Sequence, residues 1–490
     1  MPSDMDSELP GIGSRNSGSQ TRRKASRRQL IGDVGAGLLA TLLSGCQNKV
    51  QSAVKVLGAT VTPLTSVTNP APTAPNGVAT ATTSSISPAH PAPTSPTANP
   101  SPTDFLHAPS PTVRPASSPV PSATSLPTRI VVNSNGERLQ PNGPPHDPGP
   151  LTWAHPGPYL GSVASEVASF SSKQPLVTTY YFYWFDLTDP SRREPDWKIH
   201  PPDPDHYSFL NPATHLRQFE DMQAAGIDFA LPVYWSEPGH PGRSFNLLPG
   251  HDFSTEGIPP MVAALDALAS AGHPLKLGMF YDTTILANAD LTTANGKAYF
   301  YVNVRDFYSK IPPRHWAAID NKPIVWLYDT QWVSRFDQAS FDDLSTRFAD
   351  DFGGLRPYLV REWEWYRSKG VTPSTILQSD NLYGWGAAPS GFNSDPRFGV
   401  SEIGPGFNNT GFCHGSVAQN CFDIDRQNGA YYARQWQQAL RTSRKLAAVE
   451  TWNEFSEGSG IAESVQYGRL YIDLTHKYAD AYHAGRTSVS

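Results

Sequence analysis

Two glutamates near the carboxyl end of the chain have the type and spacing needed to cleave a glycosidic bond. Glu454 and Glu457 lie three residues apart in a segment that also contains Gly458 and Gly460. Glycines allow a tight loop, so both carboxyl groups can point toward one cavity. Glycoside hydrolysis needs one protonated and one ionised carboxyl, and two neighbouring carboxyls push their pKa values apart. The alternative is a helix N-cap loop in which the helix dipole favours acids.

The elements that would position these glutamates follow a repeating strand–helix pattern after residue 173. Strands are predicted at 176–185, 229–234, 276–281, 323–328, 358–362, 382–385, 400–403 and 446–451. Helical patterns lie at 215–222 (ending at Gly226), 259–271, 342–352, 429–440 and 469–481. Near-continuous apolar runs are typical of parallel strands that are buried on both faces. We therefore predict an α/β fold, a (β/α)8 TIM barrel preceded by a disordered N-terminal tether.

Polar and aromatic residues follow many of the predicted strands. In a (β/α)8 barrel the carboxyl ends of the strands converge on one mouth, where acids and amides can bond sugar hydroxyls and rings can stack on sugar C–H faces. The predicted substrate-binding residues are Tyr181, Tyr183, Trp184, Asp186, Tyr234, Trp235, Glu237, Tyr281, Asp282, Tyr328, Asp329, Trp385, Trp452 and Asn453. The alternative is that Asp186, Asp282 and Asp329 each cap the following helix, and that the aromatic residues fill a large core.

Several further acids are weaker candidates. Glu362 and Glu364 could line the mouth or begin a helix, and Asp380 and Glu402 lie at or near the ends of weaker strands. The loop 200–206 has metal-like residue types but is stiffened by prolines, so a structural loop is favoured over a metal site. We predict no metal and no cofactor, because the sequence has no HExxH, P-loop, GxGxxG or GxSxG motif.

The segment 453–464, N-E-F-S-E-G-S-G-I-A-E-S, resembles the N-E-W-H-E-G-T-x-I-E segment of family 99 glycoside hydrolases, the endo-α-mannosidases and their barrel relatives. The likeness also covers 179–184, 222–235, 278–282 and 322–328. It implies a surface enzyme acting on a polysaccharide or glycan with retention at the anomeric carbon. Glu454 would assist attack at C1 through the 2-hydroxyl, and Glu457 would be the acid/base. Phe455 and Ser456 replace the family's Trp and His, which leaves the sugar and linkage open.

The amino end resembles an export and lipidation signal. A basic run at 21–28 contains the twin-arginine-like stretch S-R-R-Q-L-I, and a short apolar run at 30–43 follows it. The run ends in L-S-G-C, which resembles the bacterial lipobox with Cys46 as the lipidated residue. We predict that residues 1–46 are a twin-arginine lipoprotein signal and that the protein is lipid-anchored on the outer face of the cytoplasmic membrane or the cell surface. The alternative is an ordinary signal peptide with a coincidental Cys.

The next segment is rich in Ser, Thr and Pro, and the prolines crowd toward the front of the chain. Few large apolar residues occur there, so we predict a disordered linker over 47–150, either bare or O-glycosylated, and a catalytic domain over 151–490. Cys413 and Cys421 are close in sequence, and we predict a disulfide between them; two unpaired thiols are the alternative.

The net charge of −6 and the absence of a basic stripe argue against a nucleic-acid partner. We expect a monomer whose partners are a glycan and a lipid membrane. The competing hypotheses are a carbohydrate-binding lipoprotein with a barrel that has no catalytic activity, and a metal-dependent hydrolase that uses the 200–206 loop.

Overall fold

The structure, a computed structural model, describes residues 144–151, 156–161, 167–190, 193, 196–236, 252–286, 288–330, 332–411 and 423–489, together with the backbone of two short strands, Val131–Val132 and Arg138–Leu139. The predicted signal with Cys46, almost all of the predicted linker, Glu237, and the proposed disulfide partners Cys413 and Cys421 lie outside the described residues. No helix within the described ranges is both long and apolar enough to cross a membrane.

Eight parallel strands form a nearly closed barrel, as the alternating pattern predicts. They are β1 Leu176–Tyr181, β2 Phe229–Tyr234, β3 Met279–Tyr281, β4 Lys322–Leu327, β5 Tyr358–Glu362, β6 Asn381–Tyr383, β7 Val400–Ile403 and β8 Leu446–Val449. Neighbours in sequence pair in parallel from β1 to β6, and β7 pairs with β8, which pairs with β1. Between β6 and β7, the Gly399 amide donates to the Leu382 carbonyl at 3.0 Å.

The predicted bounds of β2, β5 and β7 match the structure, whereas β1 and β8 end earlier than predicted. β1 stops at Tyr181 because the backbone of Phe182 is bonded by the side chain of Asn453 instead of by a neighbouring strand. β3 is preceded by Lys276–Leu277, and Gly278 separates the two pieces. A β-carbon at Gly278 would lie 2.9 Å from Leu231 Cδ2 and 3.0 Å from Ile324 Cβ, so a larger residue here would require these neighbouring side chains to shift.

Helices surround the barrel. They are α1 Pro212–Ala224, α2 Phe253–Glu256, α3 Ile258–Ser270, α4 Ala294–Lys310, α5 Gln338–Asp351, α6 Ala387–Ser390, α7 Ala430–Ala439 and α8 Leu470–His483. The five predicted helices are present. The sequence pattern missed α4, because buried aromatic residues are too frequent along it to leave a clear amphipathic period. Between β5 and β6 the described chain has a 3-10 turn, Trp363–Tyr366, in place of an α-helix.

The core is built largely from aromatic side chains. Trp316, Trp326, Trp365 and Trp436 are among the largest side chains that are fully buried. Trp436, for example, stacks on Tyr478 between α7 and α8, with ring centroids 5.9 Å apart. Many of the aromatic residues therefore stabilise the domain by burying apolar area, and only a minority reach the mouth of the barrel.

Candidate active site

The loop that follows β8 carries both predicted catalytic glutamates and is fixed to the end of β1. The Trp452 amide donates to the Tyr180 carbonyl at 2.9 Å. The Asn453 side chain accepts from the Phe182 amide at 2.8 Å and donates to the Phe182 carbonyl at 2.7 Å and to the Tyr207 hydroxyl at 2.9 Å. Both amide hydrogens of Asn453 are thus used within the protein. Asn453 therefore ties the residue before Glu454 to the chain that follows β1.

Local hydrogen bonds fold this loop into a compact turn. The Glu454 amide donates to the Thr451 hydroxyl at 3.0 Å, and the Thr451 amide donates to the Ser459 carbonyl at 3.2 Å. The buried Arg426 guanidinium donates to the carbonyls of Gly458 at 2.5 Å and Gly460 at 2.8 Å. A guanidinium that binds two successive loop carbonyls restricts the turn between the two glutamates and the following helix.

Glu454 is buried, with one oxygen bonded and the other open. Oε1 accepts from the backbone amide of Ser456 at 3.1 Å and also from the Ser456 hydroxyl. Oε2 has no hydrogen-bond partner among the described residues. Burial, and next the charge of Glu457, raise the pKa of Glu454 well above its usual range, while the backbone amides of Ser456 and Glu457 act in the opposite direction. Glu457 is also buried, with 5 % of its surface exposed.

The two carboxyls therefore interact electrostatically, and the pair favours holding a proton. This agrees with the requirement for two different protonation states. Burial and the charge of Glu457 both favour the protonated form of Glu454 in the ligand-free protein. The role implied by the resemblance needs an ionised Glu454, so the structure gives the opposite direction for the resting state.

A wall of rings lies inside the barrel near its mouth. Tyr180 packs against Phe280 and Trp385, with ring centroids 4.8 and 5.0 Å apart. Tyr328 packs against the same two rings at 5.4 and 5.0 Å. Tyr328 and Trp385 were predicted for the site. Tyr180 and Phe280 were missed, although the alternation of side chains along a strand places every second residue on the inner face.

A second aromatic group surrounds the start of the loops after β1 and β2. Trp184 lies 5.8 Å from Trp235 and 5.6 Å from Phe253, so two predicted residues come together here. Next to it, Phe455 of the catalytic loop packs against Phe185 at 5.1 Å and stacks against Trp197 at 6.4 Å. Phe185 and Trp197 were not among the predicted substrate-binding residues, although Phe185 is the last residue of the predicted first strand and precedes Asp186.

Five predicted sugar-binding residues face the helices instead of the mouth. The hydroxyls of Tyr181 and Tyr183 bond His215 Nδ1 and the Ser254 carbonyl, both at 2.9 Å, and the Tyr234 hydroxyl donates to Asp306. The Tyr281 hydroxyl accepts from Asn303 at 2.7 Å, and the Trp452 indole donates to Gln218 at 2.7 Å. The prediction included residues at strand ends without distinguishing side chains that point into the barrel from those that point toward the helices. The five residues whose side chains bond the helices are Tyr181, Tyr183, Tyr234, Tyr281 and Trp452.

The predicted aspartates hold local turns. Asp186 Oδ1 accepts from the amide and hydroxyl of Thr188 at 3.3 and 2.6 Å. Asp282 Oδ1 accepts from the amide and hydroxyl of Thr284 at 3.1 and 2.6 Å, at the start of the 3-10 turn Thr283–Leu286. This is the capping alternative. Asp329 is buried at the end of β4, where its carbonyl accepts from the Thr283 hydroxyl.

The acids that were weaker candidates lie in different parts of the barrel. Asp380 accepts from Lys322 Nζ at 2.6 Å and from the Leu359 amide at 2.9 Å, at the amino ends of the strands and thus opposite the mouth. Glu362 accepts from the Glu364 amide and caps the turn after β5. Glu402 points into the barrel, where its carboxyl accepts from the Tyr180 hydroxyl at 2.7 Å.

One buried acid was not among the predicted site residues. Glu450, at the end of β8, accepts from the amides of Gly386 at 2.9 Å and Ala388 at 3.1 Å. It therefore ties the loop after β6 to the catalytic loop. Its position four residues before Glu454 was a usable signal.

In the 200–206 loop, His206 bonds Asp203 at 3.0 Å and His200 Nδ1 bonds Gln466 at 3.0 Å. Within the described ranges, no group of three or more His, Cys, Asp or Glu side chains is arranged to hold a metal ion.

Fold and site together define a (β/α)8 barrel protein with a paired-glutamate loop at the carboxyl end of its last strand. Residues 205–489 match the family described as a domain of unknown function (DUF5010), and the chain belongs to that family. A search of curated proteins finds no match.

Three solved structures illustrate the similarity of the fold. A GH99 endo-alpha-mannosidase from Bacteroides thetaiotaomicron is 15% identical, with 64% of this chain and 98% of that chain covered and a TM-score of 0.41. A glycoside hydrolase-like protein is 16% identical, with 66% and 98% covered and a TM-score of 0.45. The cyclic alpha-maltosyl-(1→6)-maltose hydrolase from Arthrobacter globiformis is 10% identical, with 63% and 83% covered and a TM-score of 0.36.

Proposed function

We propose that this protein is a surface-anchored glycoside hydrolase that cleaves a polysaccharide or glycan with retention, and that α-mannosides are the first substrates to test. The observation that carries the proposal is the buried, electrostatically coupled pair Glu454 and Glu457 on the loop after β8. Two carboxyls that share a proton are what protonation of a leaving oxygen and attack at C1 require. The Trp385 and Tyr328 rings, which pack against each other inside the barrel, would supply a face for a sugar ring.

In this mechanism the proton of the pair resides on Glu457 when the bond breaks. Glu457 gives it to the leaving oxygen, and ionised Glu454 assists attack at C1 by taking the proton of the 2-hydroxyl. The Ser456 hydroxyl and amide both donate to Glu454 Oε1 and so stabilise the ionised form that this step needs. The 2-oxygen bonds to C1 as the leaving oxygen departs. Water, deprotonated by Glu457, then displaces the 2-oxygen from C1, and Glu454 returns its proton to the 2-oxygen, which restores both glutamates to their starting states.

The reverse assignment has one observation in its favour. The pKa of Glu454 is raised by burial and by Glu457, which suits a general acid. The two assignments predict that the activities of the variants depend on the leaving group in different ways. Loss of the acid is tolerated for a 4-nitrophenyl glycoside, whose leaving group needs no proton, and is not tolerated for an unactivated polysaccharide. Comparing Glu454→Gln with Glu457→Gln on both substrate types identifies the acid as the residue whose variant keeps activity on the aryl glycoside alone.

The proposed location follows from the amino-terminal sequence. Lipidation of Cys46 would anchor the protein, and the Ser/Thr/Pro-rich segment would hold the barrel away from the membrane. Expression of the full chain and of Cys46→Ser in a bacterium tests this. The parent protein should fractionate with membranes and the variant should not. Equal membrane association of both would exclude the lipid anchor.

A non-catalytic carbohydrate-binding lipoprotein is the second candidate. Its support is that the Ser456 amide and hydroxyl both occupy Glu454 Oε1, which is also how a purely structural turn would use an acid. Incubating the mature full-length protein with α-mannan, dextran, xylan and fucoidan, and measuring new reducing ends, separates the two candidates. A binder would be retained on one of these polymers without releasing any product.

A further inference from the structure

The carboxyl group of Glu402 is an unusual feature of the barrel interior. Glu402 lies in the middle of β7, and its register partner on β8 is Ala448, two residues before Glu450. The side chain is 2 % exposed. Oε1 accepts from the Tyr180 hydroxyl at 2.7 Å, while Oε2 has no partner among the described residues. A buried carboxyl with so few partners is costly, so its presence inside the barrel calls for a role.

Tyr180 connects Glu402 to the ring wall. The Tyr180 ring lies 5.0 Å from Trp385 and 4.8 Å from Phe280, and Tyr180 itself is fully buried. Trp385 is the most exposed ring of the wall, at 9 %. The bond from Tyr180 to Glu402 fixes the direction of the Tyr180 ring, and Trp385 packs directly against that ring. The orientation of Trp385 at the mouth therefore depends on Glu402 two contacts away.

Glu450 holds Trp385 from the other side. Its carboxylate accepts from the amide of Gly386, the residue after Trp385, and from Ala388. Burial, and next the charge of Glu450, raise the pKa of Glu402 well above its usual range, while the Tyr180 bond and the charge of Arg444 oppose this. Both causes favour the protonated form of Glu402.

We propose that Glu402 is a positioning residue for the proposed hydrolysis, which holds the Tyr180 ring and, through it, the Trp385 face on which a sugar ring stacks. The inference rests on the proposed function for the sugar. The placement of Trp385 by Glu402 can be tested without any sugar.

The variants are Glu402→Ala, Glu402→Gln and Tyr180→Phe in the mature full-length protein. Gln keeps the shape of a neutral acid and an oxygen that can accept from Tyr180. Asp306, a residue of α4, provides the control, because its buried carboxyl also accepts from a tyrosine hydroxyl, that of Tyr234, on the outer side of the barrel. The Asp306 carboxyl pairs in addition with Lys310 Nζ at 2.7 Å, so its variants break this pair as well. Asp306→Ala and Asp306→Asn therefore report the cost of breaking a buried tyrosine–carboxyl pair away from the mouth.

Kinetics are measured on whichever of α-mannan, dextran, xylan and fucoidan the parent protein hydrolyses fastest. Glu402→Ala and Tyr180→Phe should each raise KM about tenfold with a smaller change in kcat. The reason is that the loss of one buried hydrogen bond changes an affinity by about tenfold. The double variant should be no worse than either single variant, because both break one chain of contacts. Glu402→Gln should restore most of the affinity. The Asp306 variants should lower Tm without raising KM.

Crystal structures of the parent protein and Glu402→Ala provide the second readout, with the Trp385 ring displaced in the variant. Unchanged KM in Glu402→Ala and Tyr180→Phe, with a fall in Tm like that of the Asp306 variants, would overturn the proposal. If the parent protein hydrolyses none of the polymers, the proposed function fails instead. In that case, an unmoved Trp385 ring in Glu402→Ala overturns the positioning role, and a displaced ring supports it.

Discussion

The side chain of Asn453 bonds both the amide and the carbonyl of Phe182, at 2.8 and 2.7 Å. This two-point contact joins the catalytic loop of the last strand to the end of the first strand, where the barrel closes. Asn453 is the residue before Glu454. The pairing that closes the barrel between β8 and β1 therefore also sets the position of Glu454.

Replacing Asn453 by Asp should therefore reduce activity more than stability. The substitution keeps the size and the acceptor for the Phe182 amide, but it removes the donors to the Phe182 carbonyl and the Tyr207 hydroxyl. Leaving buried groups unpaired costs about 1–3 kcal/mol. We expect a lower Tm by thermal denaturation, and a fall in kcat of at least about tenfold because the adjacent glutamate is misplaced. Asn303→Asp, at a buried amide in α4, is the control and should change Tm alone.

Glu454 should make the protein less stable as pH rises. Its pKa is raised in the folded state, mainly by burial, whereas an unfolded glutamate titrates at about 4.3. Above that pH the folded protein binds a proton that the unfolded chain has lost. Stability from this group is thus fully present below the unfolded pKa and is lost as pH rises toward the folded value, by about 1.4 kcal/mol per pH unit.

Urea denaturation of the parent protein and Glu454→Gln between pH 4 and 8 checks this. The variant should lack this component of the slope and should gain stability relative to the parent as pH rises. Glu463→Gln, at a partly exposed glutamate of the same loop that pairs with Arg217, serves as control. Parallel pH curves for the parent protein and Glu454→Gln would contradict the raised pKa.

Much of the fold could be predicted from the sequence because many of the strands are short, nearly continuous apolar runs, such as β2, Phe229–Tyr234. The residues that face the mouth of the barrel were harder to predict. Tyr180 and Tyr181 are adjacent and chemically identical, yet one faces the ring wall and the other faces His215 on α1. Residue type cannot show which of the two tyrosines points into the barrel. The alternation of side chains along the strand can, once one inward-facing residue is known. Glu450 and Glu402 were underrated because buried acids inside a barrel follow no local motif.

Ser456 should tune the acid side of the pH–activity profile. Its hydroxyl donates to Glu454, which favours the ionised form. Ser456→Ala removes this donor, so the pKa of Glu454 should rise further. If Glu454 acts as the ionised partner, the acid limb of kcat/KM should move to higher pH. Ser459→Ala in the same loop is the control and should leave the limb in place; a profile unchanged by Ser456→Ala would show that the hydroxyl does not tune Glu454.

Trp385 should matter for sugar affinity and not only for packing. It belongs to the ring wall and is its most exposed member. Trp385→Ala should raise KM by about tenfold or more, because a stacked ring contributes on the order of 1–3 kcal/mol. Trp436→Ala, which removes a ring packed on Tyr478 between α7 and α8, should lower Tm with KM retained. Equal KM values for the parent protein and Trp385→Ala would remove this ring from the binding surface.

The most direct test of the paired glutamates is the hydrolysis of α-mannan and the other three polymers by the parent protein, Glu454→Gln and Glu457→Gln, with the anomeric form of the first product followed by NMR. The account predicts a product that retains the anomeric configuration and a fall in kcat of about 10²–10⁴ in each variant on the unactivated polymer. Undiminished hydrolysis in both variants, or a product of inverted configuration, would contradict it.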